Sequence, residues 1–427
     1  MNRPKLQRIY RHPRRWLPAV AAGAMLVPVL LIPVSSAHAA TPTTAAAAAT
    51  RQPMKKAAPL AAVPLPAQEC TTSSDGKTRT CTQASTPSAA SMAAGRKNLT
   101  SGGVSASSVV PVPTWCGDHQ DGAFWAVRND GCRWSDLTLT TFRILANGTT
   151  EITGEAFMSV LQYLYGDPTQ ATLGYQILVS PWGGWGDAIN AKVTGTGSAV
   201  SGCQSSGSSF PSQNIDPYIS GFRSGESYQT TTATAAGAIA TCTDTWTLTF
   251  NNGTYPPVST DSWRYRLSEM RCDNATLGVA TPGCVIPWAA ETLVYRAVDT
   301  PQLVSHVARA QASGLPTLLH RTTNATRITN NRNRACYKAP SIAKKSCDEY
   351  PVATSQEGLA SLPATTWQNY RRTFSGCSFT LPSQTGAIGA SACMISATEQ
   401  SSQGGTNNAF YREWRYLEGD PFYVSLQ

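Results

Sequence analysis

The chain has 427 residues, 41% of them hydrophobic and 14% charged, so it is long enough for several domains and too apolar to be disordered throughout. Its formal net charge is +9, but six of the 34 basic residues and no acid lie in the first 40 positions. That leaves +3 for the remainder, which excludes a generally polycationic protein and requires any nucleic-acid contact to be local.

The N-terminus predicts an export signal over residues 1–40. Arg3, Lys5, Arg8, Arg11, Arg14 and Arg15 form a basic region, Leu17 to Val34 is an apolar run, and Ala37-His38-Ala39-Ala40 offers a small-residue cleavage site. A run of about 18 apolar residues could nearly span a bilayer. Pro18, Pro28, Pro33 and the cleavage site favour removal instead, and no later segment is apolar enough to span. A secreted, extracellular monomer with no stable membrane association is the expectation.

Twelve cysteines in an exported chain read as disulfides, and the low-entropy pairing joins sequence neighbours: Cys70/Cys81, Cys116/Cys132, Cys203/Cys242, Cys272/Cys284, Cys336/Cys347 and Cys377/Cys393. No Cys-x-x-Cys or Cys/His cluster suggests a metal site.

Residues 41–114 are Ala-, Thr-, Ser- and Pro-rich and predict a disordered linker. Ser74-Asp75-Gly76-Lys77 inside it marks a turn that Cys70 and Cys81 would close into a small hairpin. Residues 115–298 carry short alternating or β-branched runs, such as 137–144, 172–179 and 245–250, punctuated by Asn-Gly turns. They predict an all-β, sandwich-like domain of unknown role. Trp182-Gly183-Gly184-Trp185 within it reads either as a carbohydrate-stacking loop or, on priors, as a packed Trp pair.

Residues 299–314 predict a connecting helix, with Thr300 as N-cap, Pro301 at the first position and Gly314 as stop. His306 on that helix reads as structural. Residues 315–427 form the last predicted domain, with eleven basic residues against seven acids. Arg327, Arg332 and Arg334 crowd one segment before Cys336, and Lys345 lies just before Asp348 and Glu349. Basic residues around a few carboxylates suit metal-assisted phosphodiester cleavage: phosphate needs cations, and a divalent ion needs hard oxygen ligands. Only His320 lies in this domain, so a carboxylate is the available base. A final helix, capped by Thr406 or Asn407, would carry the stripe Phe410, Trp414, Leu417, with the Glu413 carboxylate bordering the buried face. A salt bridge to a core Arg is the plainer reading of Glu413.

Cys347-Asp348-Glu349-Tyr350-Pro351, Glu357-Gly358, Met394-Ile395-Ser396-Ala397-Thr398-Glu399-Gln400, Gln403-Gly404-Gly405 and Glu418-Gly419-Asp420-Pro421-Phe422-Tyr423-Val424 resemble, in order, motifs of the NucA/NucB family of secreted bacterial deoxyribonucleases. The resemblance implies a small α+β domain of the ββα-metal type that cuts DNA without sequence preference, RNA being an open second substrate. It implies Asp348 as general base, with Glu349 a second acid, a ligand or a partner for Lys345, and Mg2+ or Mn2+ held by Glu413, Glu399 and Gln400. Gln400 stands where the family usually has Asn. The backbone phosphates would meet Arg327, Arg332, Arg334, Lys345 and Arg412. The competing reading is an extracellular cell-wall or polysaccharide-binding β-domain protein with an inactive C-terminal domain. A serine hydrolase lacks any Gly-x-Ser-x-Gly and has only His119, His306 and His320 after the signal.

Overall fold

Thr residues alternate with Leu137 and Leu139 along the chain, and in the computed structural model this period of two becomes a sheet with one face in the core. The structure describes residues 68–100, 110–260, 270–381 and 384–427; the expected signal peptide lies outside them. β1 (Glu69–Thr72) and β2 (Thr78–Ser85) make a hairpin turned at Gly76, followed by α1 (Ala89–Thr100). Then come β3 (Trp125–Ala126), β4 (Asp130–Ile144), β5 (Thr150–Tyr165), β6 (Thr172–Gly186), β7 (Lys192–Ser201), β8 (Cys203–Ser209) and β9 (Gln213–Asn214). β10 (Arg223–Thr231), β11 (Ile239–Asn251), β12 (Val258–Ser259), β13 (Met270–Asp273) and β14 (Gly283–Val285) complete this part. Two antiparallel sheets result, ordered β1-β2-β4-β5-β6-β10-β8 and β14-β13-β11-β7-β9, with Met158, Ile177, Trp246 and Phe250 in the core they share.

Residues 68–100 correct the expected linker: they are ordered. Composition misleads because this segment brings little apolar surface of its own and uses its neighbours' instead. β2 pairs with β4 along its whole length, and α1 lies on Trp134, where a Cβ at Gly95 would come within 2.6 Å of the indole. In the Trp182–Trp185 stretch, Trp182 stacks on Phe157 at 5.3 Å rather than on the other Trp, and Trp185 stays 48% exposed. All six disulfides join the expected sequence neighbours.

The C-terminal part contains β15 (Glu291–Tyr295), α2 (Pro301–Ala312), β16 (Leu318–His320), α3 (Ala325–Ala335), β17 (Lys345–Tyr350), β18 (Arg371–Arg372), β19 (Ala390–Ser396), α4 (Ala397–Glu413) and β20 (Pro421–Leu426). It has two small sheets, β15-β20-β16 and β17-β19-β18. β15 runs parallel to β20, with Leu293 opposite Val424, and Leu293, Leu303 and Val307 share one core with Ile395, Phe410 and Phe422. The strand before residue 298 and the helix over 299–314 are thus packed into this core. A fragment starting at residue 315 would lose both, and is expected to show no cooperative melting by circular dichroism. A sharp transition would contradict that packing argument.

Charge joins the two parts. Asp420 receives Arg128 Nη2 at 2.5 Å and Arg271 Nη1 at 2.7 Å, while Asp273 receives Arg415 Nη2 at 2.9 Å and Arg271 Nε at 3.3 Å. All five residues are buried, and Arg128 also lies over the Tyr416 ring at 4.3 Å. Burial alone would raise the Asp273 carboxyl, but the Arg415 hydrogen bond and the charges of Arg271 and Arg415 outweigh it and hold it low.

Candidate active site

Successive side chains on a strand point to opposite faces, so Asp348 and Glu349 on β17 part company. Asp348 faces α2: His306 Nδ1 lies 2.6 Å from its Oδ2, and both side chains are fully buried. His306 Nε2 lies 2.9 Å from Ser391 Oγ on β19, so the imidazole bridges the two paired strands. Asp348 Oδ1 is buried and has no hydrogen-bond partner. An unpaired buried acceptor of this kind costs about 1–3 kcal/mol.

Glu349 faces α3, where Arg332 Nε is 4.0 Å from Oε1 and the Cys336 sulfur, bonded to Cys347, is 3.9 Å from Oε2. Burial, and then the neighbouring Asp348 charge, push its carboxyl up to about 8. The fold therefore binds this proton more tightly than the unfolded chain does. Its contribution to stability is full below the ordinary carboxylate pKa and is lost as pH rises towards 8. Glu349→Gln is expected to melt higher than the wild type at pH 9, and the difference is expected to shrink at pH 5. Melting curves at the two pH values check this; equal differences at both would refute it.

The last helix departs from its expected register. It starts at Ala397 after Ser396 and ends at Glu413, so Asn407 lies inside it and Leu417 beyond it. Arg415, at φ 51°, turns the chain so that its side chain enters the ion network with Asp273. The helix buries a polar stripe at spacing four: Glu399, Gln403 and Asn407. Glu399 Oε2 accepts from the amides of Gln302 (2.8 Å) and Leu303 (3.0 Å), capping α2 in place of Thr300, whose side chain caps nothing. In return Gln302 Oε1 accepts from Ser396 N at 3.0 Å, so the starts of α2 and α4 hold each other. Tyr295 donates its hydroxyl to Asn407 Oδ1 at 2.8 Å.

The residues expected to hold one metal ion are not brought together. Glu413 is exposed at the far end of α4, lining an open groove with Arg412, Trp414 and Pro168. Glu399 stands at the opposite end, roughly 21 Å away along the helix axis. Among the described residues no three His, Asp or Glu side chains converge on a point, and the one cysteine cluster consists of disulfide sulfurs. The expected ligand set therefore does not fit one ion. Gln400 Oε1, in the first turn of α4, is another buried oxygen without a hydrogen-bond partner, as is Ser355 Oγ.

The basic residues divide in a way composition hides. Arg321, Arg371, Arg372 and Arg415 are buried. Arg334 is committed to the Leu359 and Leu362 carbonyls at 2.9 Å each, so it is structural rather than free for phosphate. Lys345 Nζ reaches the Met394 carbonyl at 3.3 Å, and Arg327 lies 3.5 Å from that of Gln356. Arg332 and Arg412 are exposed. His320 pairs with Glu357 at 2.7 Å, and Gly358 follows because any Cβ there would collide with Asn331, which braces the loop through the Ala353 and Ser355 carbonyls.

His306 and Ser391 were not among the residues expected to act. The only sequence signal for His306 was its place on the apolar face of α2 beside Leu303, Val307 and Ala310, where a histidine needs polar partners. No curated protein matches the chain. Residues 307–425 match the family model for deoxyribonuclease NucA/NucB, and the C-terminal domain of this chain is therefore a NucA/NucB domain.

Proposed function

We propose that this chain is a secreted endonuclease that hydrolyses DNA phosphodiester bonds through its C-terminal domain, without sequence preference. The observation that carries the proposal is the match over residues 307–425, within which, among the described residues, Asp348 is the one acid with a buried carboxylate oxygen that no other protein group hydrogen-bonds. In this reading Asp348 Oδ1 takes a proton from water as the water oxygen bonds to phosphorus. The bond from phosphorus to the leaving sugar oxygen breaks, and that oxygen takes a proton from solvent. In the same reading Arg332, Arg412, Lys345 and Arg327 are the cations that would meet backbone phosphates.

Mg2+ or Mn2+ is proposed as cofactor on the oxygen chemistry of the site, with Gln400 as the donor available on α4; a bound ion would supply charge neutralisation at the phosphate. No step is derived through it, because the full expected ligand set is not assembled. The ββα-metal description is proposed on the order β17, β19, α4, a strand pair leading directly into a helix. Export is proposed on the N-terminal signal pattern and on the six disulfides.

The test is incubation of the purified mature protein with supercoiled plasmid, with Mg2+ or Mn2+ and then with EDTA. Nicking and linearisation abolished by EDTA are expected; no cleavage under any condition would reject the proposal. RNA offered in parallel decides whether the site distinguishes the sugars. The exposed Trp185, hydrogen-bonded through Nε1 to Glu155 at 3.3 Å, favours a second reading for the β part, binding of polysaccharide. Sedimentation with cell-wall polysaccharide tests it, and no co-sedimentation would remove its support.

A further inference from the structure

We infer that His306 is a positioning residue for the nuclease reaction: it holds one oxygen of Asp348 so that the other is presented for proton transfer. The inference rests on the general-base reading of Asp348. The two buried aspartates of the ion network that joins the parts give the comparison. Asp420 has both oxygens filled, Oδ1 by Arg271 and Oδ2 by Arg128 and the Leu417 amide. Asp273 is likewise filled at both, Oδ1 by Arg415, Ala275, Thr276 and its hydroxyl, Oδ2 by Arg271. Asp348 differs: Oδ2 is filled by His306 at 2.6 Å and Oδ1 by nothing. Asp244 also leaves one buried oxygen unpaired, but its other oxygen accepts from the amide of the next residue, Thr245, whereas Asp348 is held from another element by a side chain that is itself fixed.

The imidazole is fixed from both sides. A carboxylate only accepts, so Nδ1 donates to Asp348, while Nε2 engages Ser391 Oγ, itself 3.3 Å from the Tyr350 carbonyl. The helix that carries the ring is fixed in turn. Glu399 caps the amides of Gln302 and Leu303, and Gln302 lies one turn before His306 on the same face, bonded back to Ser396. Rotation of α2 by even part of a turn would withdraw the ring from Asp348. Positioning of this kind acts on the reacting geometry and not on substrate affinity, so it shows in kcat rather than KM.

Steady-state cleavage of a defined DNA duplex by His306→Ala, His306→Asn, Asp348→Asn and the double variant Asp348→Asn/His306→Asn tests the inference, with thermal melts alongside. His306→Ala is expected to lower kcat by about 10–100-fold with KM within about twofold. His306→Asn, whose amide nitrogen can donate in place of Nδ1, is expected to recover to within about tenfold of wild type, and to add no loss in the Asp348→Asn background. Wild-type kcat in His306→Ala, or further loss in the double variant, would overturn the inference. If the alanine variant fails to fold, His306→Asn decides alone: a kcat within about tenfold of wild type supports positioning, and a kcat at the Asp348→Asn level overturns it. Wild-type activity in Asp348→Asn would instead remove the general-base reading itself, and the inference with it.

Discussion

Asp420→Ala is expected to destabilise the chain by about 3–5 kcal/mol, the range for removing one partner from a buried ion pair. The carboxylate accepts from Arg128, Arg271 and the Leu417 amide at 2.5, 2.7 and 3.0 Å, and the Arg128 side chain is wholly inaccessible to solvent. Without it the buried Arg128 guanidinium keeps only carbonyl oxygens and the Tyr416 ring, and Arg271 keeps Asp273 as its one anionic partner. The penalty comes from stranding those charges, so it exceeds the net worth of the pairs themselves. The exposed Arg143–Glu151 pair gives the contrast: its side chains are 61% and 54% accessible, and breaking it is expected to cost at most about 1 kcal/mol. Denaturant titration of the two variants checks the difference. An Asp420→Ala midpoint matching that of Glu151→Ala would show that the network does not join the two parts energetically.

Asp348→Asn is expected to lower the rate of DNA cleavage by about 10²–10⁴-fold, the cost of losing a placed general base. The change keeps the size of the side chain and an oxygen for His306, while removing the proton acceptor. Its effect therefore separates chemistry from folding better than alanine would. A melting temperature near that of wild type, with kcat reduced and KM little changed, is the expected pattern. Cleavage at the wild-type rate by a folded Asp348→Asn would assign Asp348 to structure alone. Glu349 is no substitute on this geometry, since it points to the other face of β17 and its carboxyl is pushed up to about 8.

Much of the local grammar was legible. Thr300-Pro301 and Gly314 bound α2, Gly76 turns the first hairpin, and neighbouring cysteines pair throughout, because each of these depends on residues close together in the chain. The acid-bearing strand was legible from its motif. The charge count was not a guide to the surface: four of the arginines beyond residue 315 serve backbone carbonyls or aspartates inside the protein, which composition cannot distinguish from solvated cations.

The sequence by itself determined the C-terminal domain's family and the disulfide pairing, and singled out Asp348 as the acid to test, since ordered motifs and short covalent loops survive as one-dimensional patterns. Only the tertiary structure decided which groups surround that acid. β15 meets β20 across more than a hundred residues, α2 is capped by a glutamate from α4, and His306 crosses from α2 to a strand forty-two residues on. Each of these contacts depends on the packing of elements distant in sequence, and no local spacing encodes it. For the same reason the helix that looked like a connector proved to hold the histidine against Asp348, and Glu413, expected as a ligand, is exposed at the far end of α4.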